Sequence, residues 1–145
     1  MNNNVSLMKK HLTPDVLELL KDKVTSNGVT LDDVIRSGVE NPDSKVGLYA
    51  PDKESYTVFA PLFDAVIADY HGFGTEQTHT TDFDISKRDV DDVDPDGEYI
   101  ESTRVRVARN TNSYPFPGAI RQEQRLAEEK DLAGVLSTLT GDLAG

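Results

Sequence analysis

The sequence contains no cysteine, which excludes disulfides, thiolate metal sites and a cysteine nucleophile within these residues. No run of about 18 apolar residues occurs, so no membrane-spanning helix is expected. Residues 1–11, Met-Asn-Asn-Asn-Val-Ser-Leu-Met-Lys-Lys-His, lack the apolar core of a secretory signal, and the chain reads as cytoplasmic. There is no glycine-rich phosphate loop of the Walker or dinucleotide type, so any nucleotide site must work through side chains. Internal repeats and low-complexity tracts are also absent.

What is present is acid, unevenly placed. The 145 residues carry a net charge of −11. Residues 1–98 hold 9 Lys/Arg against 20 Asp/Glu, and residues 99–145 hold 6 against 6. Within 99–125 the count is 5 Arg against 2 Glu. A broadly acidic surface repels a phosphate backbone, so no nucleic-acid partner is expected. A local arginine cluster on such a chain points to a small anionic ligand.

The first part of the chain has the punctuation of short helices. Thr13-Pro14-Asp15 supplies a hydroxyl cap, a proline at the first position and an acid in the first turn. The apolar residues Val16, Leu17, Leu20 and Val24 then predict a helix over about 14–24. Thr30 caps a second helix, with Leu31, Val34 and Ile35 facing inward and Gly38 near its end. Residues 40–52, with two prolines and a glycine, form a loop. Helix is predicted again from about Asp52 to Phe59 and from Pro61, where Leu62, Phe63, Val66, Ile67 and Tyr70 make a core-facing stripe. Gly72 is its expected C-cap. Residues 80–98 hold eight acids, a proline and a glycine and read as a solvated linker.

Residues 99–109 alternate as a strand. Ser102, Arg104 and Arg106 fall on one face, and Thr103, Val105 and Val107 on the other, toward a core. The two guanidinium forks would stand about 6.6 Å apart, a spacing suited to neighbouring phosphates. A solvated strand face, or pairing with the acidic linker, explains the same alternation equally well. A helix over about 120–140 follows, with Leu126, Leu132, Val135, Leu136 and Leu139 as its apolar positions. One strand and one helix cannot make an independent core. The expected fold class is therefore mainly α: a small all-helical N-terminal domain (1–90), an acidic linker (91–98), and the first strand and helix of an incomplete α+β domain with an antiparallel sheet (99–145). If the remainder of that domain is missing, the apolar face of the last helix is exposed and aggregation is expected.

Several motifs occur together in one order: Ser-Gly-Val-Glu-Asn-Pro-Asp-Ser-Lys-Val-Gly-Leu-Tyr-Ala-Pro-Asp at 37–52, Pro-Leu-Phe-Asp at 61–64, Asp-Tyr-His-Gly at 69–72, Asp-Pro-Asp-Gly-Glu-Tyr-Ile at 94–100, Ser-Thr-Arg-Val-Arg at 102–106 and Ser-Tyr-Pro-Phe at 113–116. From about His11 to Gly145 the chain resembles the phosphagen kinases, the ATP:guanidino phosphotransferases. The resemblance implies a small helical domain ahead of a larger catalytic domain, with the active site between them. It implies that Ser102, Thr103, Arg104 and Arg106 bind ATP. It further implies that Ser44, Lys45, Val46 and Gly47 offer backbone contacts to the substrate, with the Tyr49 side chain helping to position it. The length of the 43–49 loop resembles that of the arginine-specific members, which implies L-arginine as substrate; the family's phosphoryl transfer implies Mg²⁺ carried by ATP. Lys45 stands where those members usually have glycine, Val107-Ala108 where they have Cys-Gly, and Asn110 where serine is more usual.

The family's reactive cysteine, its substrate-clamping glutamates and its other nucleotide-binding arginines would belong to later segments. No catalytic residue is therefore expected in this chain, which alone should not transfer phosphate. Taurocyamine, glycocyamine or creatine as substrate remains open at Lys45, and oligomeric state is not readable. A noncatalytic helical interaction module is the alternative from another class. His11, His71 and His79 are widely spaced and predict surface or capping roles, with no metal site. The acidic run at 82–98 lacks the spacing of an EF-hand calcium loop.

Overall fold

Ser6 starts the first helix, its hydroxyl accepting the Lys9 N–H at 3.1 Å. Such a cap is worth about 1 kcal/mol. The computed structural model describes residues 4–87 and 93–144. It contains α1 (Leu7–His11), α2 (Pro14–Leu20), α3 (Leu31–Glu40), α4 (Ser55–Val58), α5 (Ala60–His71) and α6 (Gln122–Leu136), with 3₁₀ turns at Ile85–Lys87 and Gly141–Leu143.

The expected caps hold. Thr13 accepts the Val16 N–H at 3.3 Å and Pro14 opens α2. At α3 the Asp33 carboxylate accepts both the Thr30 N–H (3.0 Å) and the Thr30 hydroxyl (2.9 Å). That N–H, together with the Thr30 hydroxyl and Arg36, holds the Asp33 carboxyl below the ordinary carboxylate range against the effect of burial. Gly72 ends α5 in the left-handed conformation, φ 70°, with its N–H on the Ala68 carbonyl at 2.9 Å; glycine takes that conformation without steric cost.

The core consists of Met8, Leu20, Val29, Leu31, Val34, Leu48, Phe59, Leu62, Phe63 and Val66. Phe59, Leu62 and Val34 are fully excluded from solvent, and each such side chain contributes about 1.5–3 kcal/mol of transfer free energy. Helix α1 lies across α5 and α3. Lys10 and His11 both reach Asp69 on α5, at 2.6 and 2.7 Å.

After α5 the described residues to Asn110 run along the surface, nearly all exposed. The chain then returns. The Phe116 N–H donates to the Pro51 carbonyl at 2.9 Å, Gly118 lies against Pro51, and Ala119 packs on the core. Helix α6 is tied to this returning segment by Thr111 to Glu128 (2.5 Å) and Tyr114 to Asp131 (2.7 Å).

The strand expected at 99–109 is absent: no strand occurs among the described residues, whose single β-bridge joins Val24 and Thr30. Val105 and Val107 are 85% and 74% exposed and face no core. A strand needs a neighbour to take up its N–H and C=O groups, and none lies beside this segment. The expected boundary near residue 90 lies outside the described residues. Helix α2 stops at Leu20, short of Val24, because the chain turns through Gly28 (φ 81°) to make the bridge. Of the α5 stripe, Leu62, Phe63 and Val66 are buried, whereas Ile67 and Tyr70 are exposed. A stripe that wide exceeds the face α1 covers. The apolar residues of α6 are exposed: Leu132, Val135 and Leu136 are 45%, 62% and 62% accessible.

Candidate functional site

The loop that follows α3 is built by hydrogen bonds to three segments. Asn41 closes the helix on the Ser37 carbonyl, and Ser44 turns back to donate its N–H to the Asn41 carbonyl at 3.0 Å. The Ser44 hydroxyl accepts the Gly47 N–H at 3.0 Å. Three further carbonyls of the loop are taken by the start of the chain: Val5 N–H donates to Pro42 (3.1 Å), Leu7 to Lys45 (2.9 Å) and Met8 to Val46 (3.0 Å). The Gly47 carbonyl accepts the Gly38 N–H at 3.1 Å, and the Tyr49 N–H donates to Val34 at 3.1 Å.

A trans peptide unit points its C=O and N–H in opposite directions. With the Pro42 and Lys45 carbonyls turned inward to residues 5–7, the N–H groups of Asp43 and Val46 point away from the helical body. Neither of these, nor the Lys45 N–H, meets an acceptor among the described residues. Unpaired backbone donors on one short turn can capture a carboxylate. The side chains divide accordingly: Val46 packs on the core, Gly47 is buried, Ser44 is half-buried, and Lys45 and Tyr49 are exposed. No acid pairs with Lys45 among the described residues.

The far end of the loop is fixed by Asp52, which is 1% exposed. Its carboxylate accepts from the Ser55 hydroxyl (2.6 Å) and N–H (2.8 Å), from the Thr25 hydroxyl (2.7 Å) and from the Asn27 amide (3.1 Å). Burial pushes this carboxyl upward, but the donors outweigh it and hold it below the ordinary range. The helix expected from Asp52 accordingly begins three residues later, at Ser55, with Asp52 tying down its start.

The structure thus brings Ser44, Lys45, Val46 and Gly47 into one turn and leaves Tyr49 beside it. It does not join them to Ser102, Thr103, Arg104 or Arg106, which lie on the exposed irregular segment. Neither guanidinium has an ion-pair partner among the described residues. Sequence reasoning missed Asn4, Ser6 and Gly38, which hold the loop from behind. Ser6 three residues ahead of Lys9 was a readable cap signal, but a helix of five residues shows no period.

Residues 2–68 match the family model described as ATP:guanido phosphotransferase, N-terminal domain. Through these residues the chain is similar to the phosphagen kinases. It is 50% identical over 141 residues to an arginine kinase of Anthopleura japonica and 51% identical over 142 residues to that of Callinectes sapidus, each alignment covering 97% of the chain. It covers 20% of the first relative and 40% of the second, so it spans less than half the length of these curated relatives. Among solved structures, lombricine kinase matches with a TM-score of 0.79 at 30% identity over 98% of the chain and 39% of that protein. The duplicated taurocyamine kinase of Schistosoma mansoni with bound transition-state-analogue components matches with a TM-score of 0.80 at 32% identity, over 97% of the chain and 20% of that protein. The matches extend past residue 68 into the exposed arm, so the similarity runs through most of the chain's length.

Proposed function

We propose that this chain supplies the guanidino-substrate side of an ATP:guanidino phosphotransferase acting on L-arginine. The observation that carries the proposal is the pair of outward-facing, unpaired N–H groups at Asp43 and Val46, with the Lys45 N–H also unpaired between them among the described residues, at a position where relatives half identical in sequence are arginine kinases. Those donors would take the substrate's carboxylate and leave its guanidino end free to reach the nucleotide. In-line phosphoryl transfer depends on such positioning and on neutralising the transferred group's charge. Ser102, Thr103, Arg104 and Arg106 would grip the ATP phosphates, the guanidinium forks being free to do so. Mg²⁺ would arrive bound to ATP; no group of three or more His, Asp or Glu among the described residues fits it as a protein site.

On this reading residues 1–90 form the substrate domain, 91–98 a linker, and 99–145 the opening of a catalytic domain. The chain by itself would transfer no phosphate, and a coupled assay showing arginine- and MgATP-dependent turnover would overturn that point. No described helix is long and apolar enough to cross a membrane, and a cytoplasmic location follows as part of the proposal, as does the absence of a nucleic-acid partner from the acidic charge. Binding is tested by titrating the labelled chain with L-arginine and with agmatine, the same molecule without its carboxylate. The amides of residues 44–47 should shift with L-arginine and not with agmatine. An equal response to both, or none to either, sinks the assignment.

The exposed, unpaired Lys45 favours one second reading, a guanidino substrate with a stronger acid at its tail. Taurocyamine, a sulfonate, would then shift the same amides at lower concentration than L-arginine, and Lys45→Gly would reverse the order.

A further inference from the structure

We propose that the backbone of residues 5–8 is the positioning element of the 42–47 loop, so that the start of the chain sets how well the loop receives its ligand. Three consecutive features support this. Val5, Leu7 and Met8 each donate an N–H to a loop carbonyl, at 3.1, 2.9 and 3.0 Å. Among the described residues these three bonds, with that of Gly38 to Gly47, are the backbone bonds by which the body of the protein holds residues 42–47. The donors are themselves fixed: Ser6 is 2% exposed, its N–H and hydroxyl both donate to the Asn4 side-chain oxygen (3.0 and 2.6 Å), and the Asn4 amide donates to the Gly38 carbonyl at 2.6 Å. Asn4 thus links the chain start to the helix that launches the loop.

The consequence for binding follows from peptide planarity. While Leu7 holds the Lys45 carbonyl inward, the Val46 N–H must face outward; without that bond the 45–46 peptide is free to rotate and the donor loses its direction. In its functional meaning this rests on the assignment of the loop as the guanidino-substrate site, but the mechanical part stands apart from any ligand.

The helix geometry permits a clean test. Leu7 is the first residue of α1 and follows Ser6 in an extended conformation (φ −69°, ψ 152°), so proline is tolerated there; it removes the donor and part of a side chain that packs on the core. Leu7→Pro is compared with Leu7→Ala, which loses more side chain but keeps the N–H. Amide exchange of Ser44 and Gly47 should be at least tenfold faster in Leu7→Pro than in Leu7→Ala, with α5 amides such as Val66 equally protected in both. If α5 protection is lost, Val5→Pro against Val5→Ala asks the same question outside the helix, at a side chain 73% exposed. Equal exchange at Ser44 and Gly47 within these pairs overturns the proposal. So does an L-arginine affinity unchanged by the proline, where about a fivefold loss is expected. A wild-type loop that ignores L-arginine counts against the substrate assignment alone, and the exchange comparison then still decides whether residues 5–8 hold the loop.

Discussion

Gly38 and Gly47 meet backbone to backbone: the Gly38 N–H donates to the Gly47 carbonyl at 3.1 Å, and a Cβ on Gly38 would stand 2.5 Å from that oxygen. In an ordinary helix alanine is about 1 kcal/mol better than glycine. Here the sign reverses, since the added carbon also meets Met8 at 2.7 Å. Gly38→Ala is expected to destabilise by about 1–3 kcal/mol. Gly47→Ala should cost at least as much, because it adds a left-handed backbone (φ 70°) and an approach of 2.7 Å to Ser6. Urea unfolding followed by circular dichroism measures both.

Asp52 makes stability depend on acid. Its folded pKa is lowered, so the stability it contributes is fully present above the unfolded value of about 3.9 and is lost as pH falls through the folded value. Asp33 acts in the same direction. Asp52→Asn should destabilise at neutral pH by about 1–3 kcal/mol, the worth of bonds to a charged acceptor. It should also flatten the fall in stability below about pH 4, where the unfolded carboxyl titrates. Thermal melts of both proteins from neutral to strongly acidic pH test the slope as well as the offset.

The contact of Lys10 and His11 with Asp69 is well made but exposed. Surface ion pairs are weakened by solvent and by salt. Asp69→Asn is therefore expected to lower the melting temperature less than Asp52→Asn does, with the difference from wild type vanishing in molar salt. A shift that survives high salt would mean that the α1–α5 junction draws more from Asp69 than a solvent-screened pair can supply.

Helices α5 and α6 should respond oppositely to polar substitution. Phe59→Ala, at a fully buried ring just before α5, is expected to cost about 3–5 kcal/mol, enough to unfold a body this small. Leu132→Gln with Leu136→Gln should leave the melting temperature unchanged, since both residues are largely exposed. The double variant should instead reduce self-association in sedimentation velocity, because an uncovered apolar face promotes it.

The parts legible in the sequence are those whose determinants are local. Thr13-Pro14, the Thr30–Asp33 pair and Gly72 each specify a helix end within four residues, and all three stand where the spacing put them. The loop at 40–52 is likewise marked by its own prolines and glycine. What could not be read depends on residues distant in the chain. Asn4 and Ser6 acquire a role only because α3 delivers Gly38 and Gly47 beside them. The alternation of 99–109 specifies which side chains would share a face, but a strand exists only if another lies alongside. As for the site, composition gave the arginines and resemblance gave the loop; the inward turn of the Lys45 carbonyl required the fold.

The return of the chain to Pro51 has a practical corollary. Residues 73–110 begin at the end of α5 and are pinned again where Phe116 binds Pro51, with exposed side chains along their described length except at the half-buried Asp94. Loop closure costs only about 0.6 kcal/mol for each doubling of length, so residues 78–87, exposed and ahead of the segment proposed to grip ATP, are the place to insert an affinity tag or a protease site. Cutting the chain at Gly72 would be a different matter. It would strip Phe116, Gly118 and Ala119 from the body, leaving the Pro51 carbonyl unbonded and the core uncovered beside it.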